Sequence, residues 1–388
     1  MGRINPAVLA LAVGSFGIGL TEFAIVGVLP QVAESFGVGE AIAGWLVSGY
    51  AVSVAVGGIL LTVAATRVTQ KSALLMLMGL FIVGNTLSAL ATTYSTMLTG
   101  RIIAALCHGA FFGVGAVLAA DLAGKGRRAG AIALMFGGLT LANVLGVPLG
   151  TWIAQTWGWR MLFWVIVANG ILGFVSILLL VPRANTREQI TVTVEFRTLT
   201  RPSVLVSLGI TVFGFGGMFG AFTYIAYTLT RTSGFSEAAV PWLLVLFGVG
   251  LVLGNLMGGR LADRHGEGAL IALLVLLSLN LAAFAAFARS PVAAAVLLFA
   301  MGCFGFATVP ALQSRVLRHA HQAPTLTSGA NIAAFNIGNA LGAWLGGLTV
   351  SAGLGYASTF WGATAMTLVA LVILVSASAI DRRRVSWK

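Results

Sequence analysis

The sequence predicts an all-α membrane protein with twelve transmembrane helices in two pseudo-symmetric six-helix bundles. Three observations lead there. Of 388 residues, 59% are hydrophobic and only 8% charged, against roughly a quarter charged in a soluble domain. Apolar runs of about 20 residues, enough to cross a hydrocarbon core of about 30 Å as a helix, recur from end to end. The chain also repeats itself at an offset of 197 positions, the distance from Phe16 to Phe213.

In order, the predicted spans are Ala7–Leu29, Ile42–Ala65, Ala73–Ala91, Met97–Ala119, Ala129–Thr151, Met161–Val181, Val204–Leu229, Val240–Ala262, Ala269–Ala288, Val292–Leu312, Leu326–Ser351 and Ala357–Ile380. The first is too long for the apolar core of a signal peptide and no A-x-A cleavage pattern follows it, so it is expected to remain in the mature protein. Basic residues set the orientation. With both termini cytoplasmic, all but four of the 22 lysines and arginines fall on inner segments; Arg101, Arg160, Arg231 and Arg289 are the exceptions. Such asymmetry is the positive-inside bias of membrane proteins, and it explains the net charge of +12 without a nucleic-acid partner. Cys107 and Cys303 fall within spans, and the four histidines form no spaced cluster. Neither a disulfide framework nor a metal site is expected.

The repeat needs no gap. Phe16, Gly17 and Gly19 pair with Phe213, Gly214 and Gly216, and the same shift joins Gly37 to Gly234, Glu40 to Glu237, Trp45 to Trp242, Leu46 to Leu243, Gly57 to Gly254 and Arg67 to Arg264. Residues 1–181 are thus expected to form one bundle and residues 204–388 the other, joined by a polar cytoplasmic linker, 182–203. Parallel repeats of six helices are the internal symmetry of one large class of secondary transporter, with substrate bound near the bilayer midplane between the halves. A structural duplication without transport stays open at this point. Most of the 50 glycines, such as Gly109, Gly113, Gly342 and Gly346, read as contacts that let membrane helices approach closely.

Several stretches resemble a known family. "GGRLADRHG", Gly258 to Gly266, resembles the signature loop of the major facilitator superfamily, with Glu267 and Gly268 where that loop ends in a basic pair. Its counterpart "TVAATRVTQK", Thr62 to Lys71, keeps Arg67 and Lys71 but has Thr66 for the aspartate and Thr69 for the glycine. "GLTLANVLGVPLG", Gly138 to Gly150, is similar to the Gly and Pro motif of the antiporter branch and retains Gly146, Pro148 and Gly150. "LTGRIIAALCHGAFFGVG", Leu98 to Gly115, with "TEF" in the first span and "GWR" at Gly158 to Arg160, resembles the bacterial drug:proton antiporter subgroup of sugar, nucleoside and chloramphenicol exporters. The resemblance covers nearly the whole chain. It implies the major facilitator fold, a place in the bacterial inner membrane, a proton as coupling ion with no cofactor, and a single chain as the functional unit. Gating falls to Asp263 and Arg264, with Arg67 as first-half counterpart, and helix bending to Gly146, Pro148 and Gly150.

Of the ten acidic residues, only Glu22, in "GIGLTEFAIVG", lies well inside a span. A charge there costs about 2.5–3.5 kcal/mol on insertion scales and normally faces a partner or a wet cavity. Glu22 sits roughly 10 Å below the outer end of its span at 1.5 Å per residue, and the same depth of the fourth span falls between Arg101 and His108, which share a helix face. Glu22, Arg101 and His108 are therefore expected to form a proton-coupling site, since burial and a neighbouring guanidinium act on a carboxyl's proton affinity in opposite senses. The alternative is a fixed Glu22–Arg101 ion pair with His108 neutral. The repeat places Phe219 opposite Glu22, so the second half has no equivalent acid.

For cargo, Tyr50, Phe111, Phe112, Asn143, Phe219, Tyr224, Asn336 and Asn339 offer an aromatic surface with a few amides, suited to a small neutral or weakly polar molecule. Proton-driven efflux by rocking of two halves is the expected function, with that molecule and membrane lipid as partners. A proton-coupled importer and a non-transporting receptor are alternatives. A membrane-embedded enzyme is the remote one, because no nucleophile with its base surrounds Glu22 and His108.

Overall fold

Local signals cut the chain into helices. Asn5 accepts a hydrogen bond from the Ala7 backbone N–H at 3.0 Å, and Pro6 opens α1, Pro6–Phe36. Gly37, at φ 63°, ends it in the left-handed region that favours glycine, with its N–H on Glu34 O at 3.1 Å. Its repeat partner Gly234 also has positive φ, 77°, so the duplicated glycine marks the same kind of turn twice.

The computed structural model describes residues 5–65, 67–123, 128–182, 199–319 and 324–386. Arg3, Thr66, Lys125, Arg127, Arg183, Arg187, Arg197, Lys388 and most of the predicted linker lie outside the described residues. After α1 come α2, Glu40–Ala65, α3, Gln70–Ala89, α4, Tyr94–Ala123, and α5, Arg128–Leu141. A π-helical turn, Ala142–Gly146, leads into α6, Val147–Trp157, and then α7, Trp159–Leu180. The second half has α8, Pro202–Thr223, α9, Val240–His265, α10, Glu267–Phe287, α11, Pro291–His319, α12, Pro324–Ser351, and α13, Ser358–Ser386. No strand occurs among the described residues.

Among the described residues, eleven helical segments are long and apolar enough to cross a membrane. The predicted span Leu326–Ser351 is helical, as α12, but is not one of the eleven: Asn331, Asn336 and Asn339 and its many glycines dilute its apolar character. Two predicted ends also need correction. The first span continues from Leu29 to Phe36, and the fourth begins at Tyr94 rather than Met97, because helices run on into polar caps that an apolar window does not see. The predicted span Val204–Leu229 is interrupted: α8 stops at Thr223, and Thr228–Thr232 forms a second π-helical turn.

The chain divides into two compact units, Met1–Gly39 with Trp45–Ile190, and Glu40–Gly44 with Thr191–Lys388. In the first, α1 lies against α5, α6 and α7, while α3 lies against α4 and α7. Within the second, α8 lies against α12 and α13, α9 against α11, and α10 against α11 and α13. Glycine sets the closest approaches, as expected where lipid gives helices no hydrophobic drive to associate. A Cβ at Gly57 would collide with the Leu106 backbone, and one at Gly254 with the Cys303 backbone. Leu106 and Cys303 are themselves separated by the repeat offset, so the duplication extends to the contact.

Candidate functional site

Helices α1, α2, α3 and α4 of the first unit bring one polar cluster together. α4 is held close to α3 because Gly84 and Gly100 leave room only for backbone between them, near Ala104 and Ser88. That approach fixes the face carrying Arg101 and His108. Pro30 lies inside α1, one turn beyond the carbonyl of Val26 that its missing N–H leaves without the usual helical donor.

Glu22 is buried, at 7% exposure. No hydrogen bond reaches its carboxylate among the described residues, and its nearest basic atom is Nε2 of His108, 3.9 Å from Oε2. Arg101 is fully buried and directed elsewhere. Its Nε donates to Leu46 O at 3.3 Å, while Nη1 donates to Thr21 O and reaches Thr21 Oγ1 at 3.3 Å. Its guanidinium stands 4.2 Å over the Tyr50 ring, within cation–π range. Nη2 is buried without a hydrogen-bond partner among the described residues. Thr21 Oγ1 in turn donates to Asn85 Oδ1 at 2.6 Å, so the cation ties α4 to α1 and α2 and, through threonine, to α3.

The expected meeting of Glu22, Arg101 and His108 thus occurs in part. His108 faces the carboxylate, whereas the fixed Glu22–Arg101 ion pair is not formed: the guanidinium donates instead to the backbone carbonyls of Thr21, the residue before Glu22, and of Leu46 on α2. A carbonyl oxygen leaves no signature in sequence, which is why residue types alone suggested the pair.

The aromatic and amide residues divide similarly. Tyr50, 2% exposed, joins the polar cluster through His108 Nδ1 at 3.3 Å. Phe112 lies 5.2 Å from the His108 ring and 4.9 Å from Phe136. Phe111 packs against Gly14 of α1, and Asn143 Nδ2 bonds within its own helix to Leu139 O at 3.1 Å. In the second unit Tyr224 Oη donates to Ala343 O at 3.3 Å, tying α8's end to α12. Phe219 adjoins Phe222, which stacks on Phe247 at 4.3 Å. Asn336 and Asn339 are buried, and the Oδ1 of each has no hydrogen-bond partner among the described residues.

Gly146 closes the π-helical turn against Phe16 and Leu20 of α1, and Gly150 fits beside Leu162. Pro148 follows directly on the π-helical turn, in an unbroken helical run, where its missing N–H leaves a carbonyl of the preceding turn without that donor. Arg67, Asp263 and Arg264 are exposed and make no side-chain hydrogen bond or ion pair among the described residues. The ion pair near the signature loop is instead Glu267 with the buried Arg315, and Ser378 Oγ donates to the other Glu267 oxygen at 2.7 Å. Sequence reasoning missed this pair: Arg315 counted as one more inner-face cation, and the substitution of Glu267 for a basic residue was its only signal. Among the described residues no group of three or more His, Cys, Asp or Glu is placed to hold a metal ion.

Comparison with known proteins gives a consistent picture. The family model of the Major Facilitator Superfamily matches residues 11–330 and 208–387. The chain is 45% identical over 376 residues to the inner membrane transport protein YdhP of Escherichia coli (strain K12), covering 97% of each chain. A chloramphenicol resistance protein of Streptomyces lividans is 31% identical, covering 94% of each. A crystal structure of a D-xylose-proton symporter superposes with TM-score 0.78 at 16% identity, over 95% of this chain and 96% of that one. The family and these relatives are transporters rather than enzymes.

Proposed function

Because the chain belongs to the Major Facilitator Superfamily, we propose that it is a proton-coupled antiporter exporting a small neutral or weakly polar molecule by alternating access. The bundles 1–181 and 204–388, linked by 182–203, are the moving bodies, with both termini cytoplasmic and one chain as the functional unit.

One observation carries the reading: among the described residues Glu22, buried in α1, has no hydrogen bond and no ion pair with Arg101, and His108 Nε2 is the one basic atom within 4 Å of its carboxylate. A carboxylate locked to a guanidinium would be a fixed structural charge. A carboxyl left without a permanent donor in a membrane helix is free to exchange a proton when solvent reaches it, and its charge state then biases which conformation is preferred. A charge crossing the full potential gains about 2.3 kcal/mol per 100 mV, enough for one proton to drive useful accumulation. The chloramphenicol resistance relative favours export. The buried acceptors of Asn336 and Asn339 suit cargo that donates hydrogen bonds, since an unpaired buried carbonyl is costly until a donor fills it.

The test uses inside-out vesicles carrying an imposed pH gradient and a panel of sugars, nucleosides and amphenicols. Gradient-driven uptake of one compound is expected in wild type, and Glu22→Gln should abolish it while the protein still folds. Undiminished coupled uptake in Glu22→Gln would defeat the reading.

A further inference from the structure

Tyr50 was expected to face cargo, yet its side chain is occupied on both sides by the polar cluster. Its ring carries the Arg101 guanidinium at 4.2 Å. Its hydroxyl lies 3.3 Å from His108 Nδ1, and His108 Nε2 lies 3.9 Å from Glu22 Oε2. The imidazole is held between two rings, Tyr50 at 6.2 Å and Phe112 at 5.2 Å between centroids.

Donor and acceptor accounting gives this chain a direction. A neutral imidazole has one N–H and one bare nitrogen. At 3.9 Å no hydrogen bond is made, but an ionised carboxylate favours a positive N–H end over a bare lone pair beside it, so with Glu22 ionised the hydrogen belongs on the nitrogen facing it and Nδ1 is left to accept. The phenol is the donor within reach of Nδ1. We propose that Tyr50 is a positioning residue of the proton site, its hydroxyl fixing the His108 tautomer that presents Nε2–H to Glu22. This rests on Glu22 as the proton carrier and moves Tyr50 from the cargo surface to the coupling machinery.

The other ionisable groups around the cluster do not compete for this role. Arg101 is bonded to Leu46 and Thr21, and Cys107 Sγ donates to Ala104 O within α4 at 3.1 Å. From α3 come the uncharged Asn85 and Ser88. Arg160, opening α7, donates to Ala91 O at 2.8 Å, and Lys71, at the start of α3, to Leu178 O at 2.7 Å. Without the Tyr50 hydroxyl, Nδ1 is free to hold the hydrogen, and a bare Nε2 then faces the carboxylate.

The test needs no substrate. The full chain, ¹⁵N-labelled at its four histidines and reconstituted in bilayers, gives a His108 signal assigned by its loss in His108→Gln. The expected wild-type tautomer has hydrogen on Nε2. Tyr50→Phe, which keeps the ring under Arg101, should give a mixture and displace the pH midpoint of the Glu22 infrared carboxyl band by up to about 0.7 unit, the ceiling set by one ordinary hydrogen bond. Hydrogen on Nδ1 in wild type, or a tautomer and midpoint both unmoved in Tyr50→Phe, overturns the proposal. Failure of the underlying reading looks different: no titrating band would then be lost in Glu22→Gln, whatever the tautomer.

Discussion

Arg101 shows how a charged residue inside a membrane helix serves structure while leaving a neighbouring acid free. Its guanidinium bonds carbonyls on α1 and α2 and stacks on Tyr50, a combination that needs the planar fork and not charge alone. Lysine at this position keeps the charge but not the fork. Arg101→Lys is expected to lose about 1.5–3 kcal/mol for each charged hydrogen bond it fails to remake, read as a lower thermal unfolding midpoint in detergent; an unchanged midpoint would contradict the geometry. Much of this site was legible from residues 22, 101 and 108, because acids and bases in apolar runs are conspicuous and helix spacing fixes which share a face. The partners of Arg101 were not legible, since they are backbone atoms. Nor was the place of Tyr50, whose residue type fits a cargo wall and a polar cluster equally well.

At the scale of the element, glycine decides how near the helices come. Gly57 and Gly254 face backbone on α4 and α11, whereas Gly137, on α5, has open space where a Cβ would go. Valine at position 57 or 254 should therefore drive two helices apart and lower the yield of folded protein in fluorescence-detected size exclusion. Gly137→Ala should instead stabilise α5 by about 0.5–1 kcal/mol through helix propensity. Equal effects at the two kinds of site would show that the close approaches are not what these glycines provide. The repeat offset already linked Gly57 to Gly254 in sequence, and hydropathy gave the existence of the helices. Their ends were less accessible: Asn5, Thr69 and Gly37 cap helices beyond the apolar runs, and the π-helical turn at Ala142–Gly146, just before Pro148, is a backbone feature that hydropathy does not register.

For the whole molecule, the duplicated bundle and the asymmetric acid belong to one account: in the proposed cycle two similar units are the moving bodies, and Glu22, opposed by Phe219 in the repeat, is the single coupling charge. The positive-inside bias of the basic residues predicts both termini in the cytoplasm; alkaline phosphatase fused after Lys388 should then be inactive and green fluorescent protein fluorescent, and the reverse pattern would contradict that orientation. The family came through in the loops and in the span-five motif because those residues are tied to helix ends and bends. Cargo identity did not, because aromatic and amide side chains recognise many small molecules. The most direct measurement is infrared difference spectroscopy of the reconstituted carrier across pH, wild type against Glu22→Gln. The expected result is a carboxyl band that appears on acidification and is missing in the variant; its absence at every pH, with Glu22 ionised throughout, would contradict the proposed coupling.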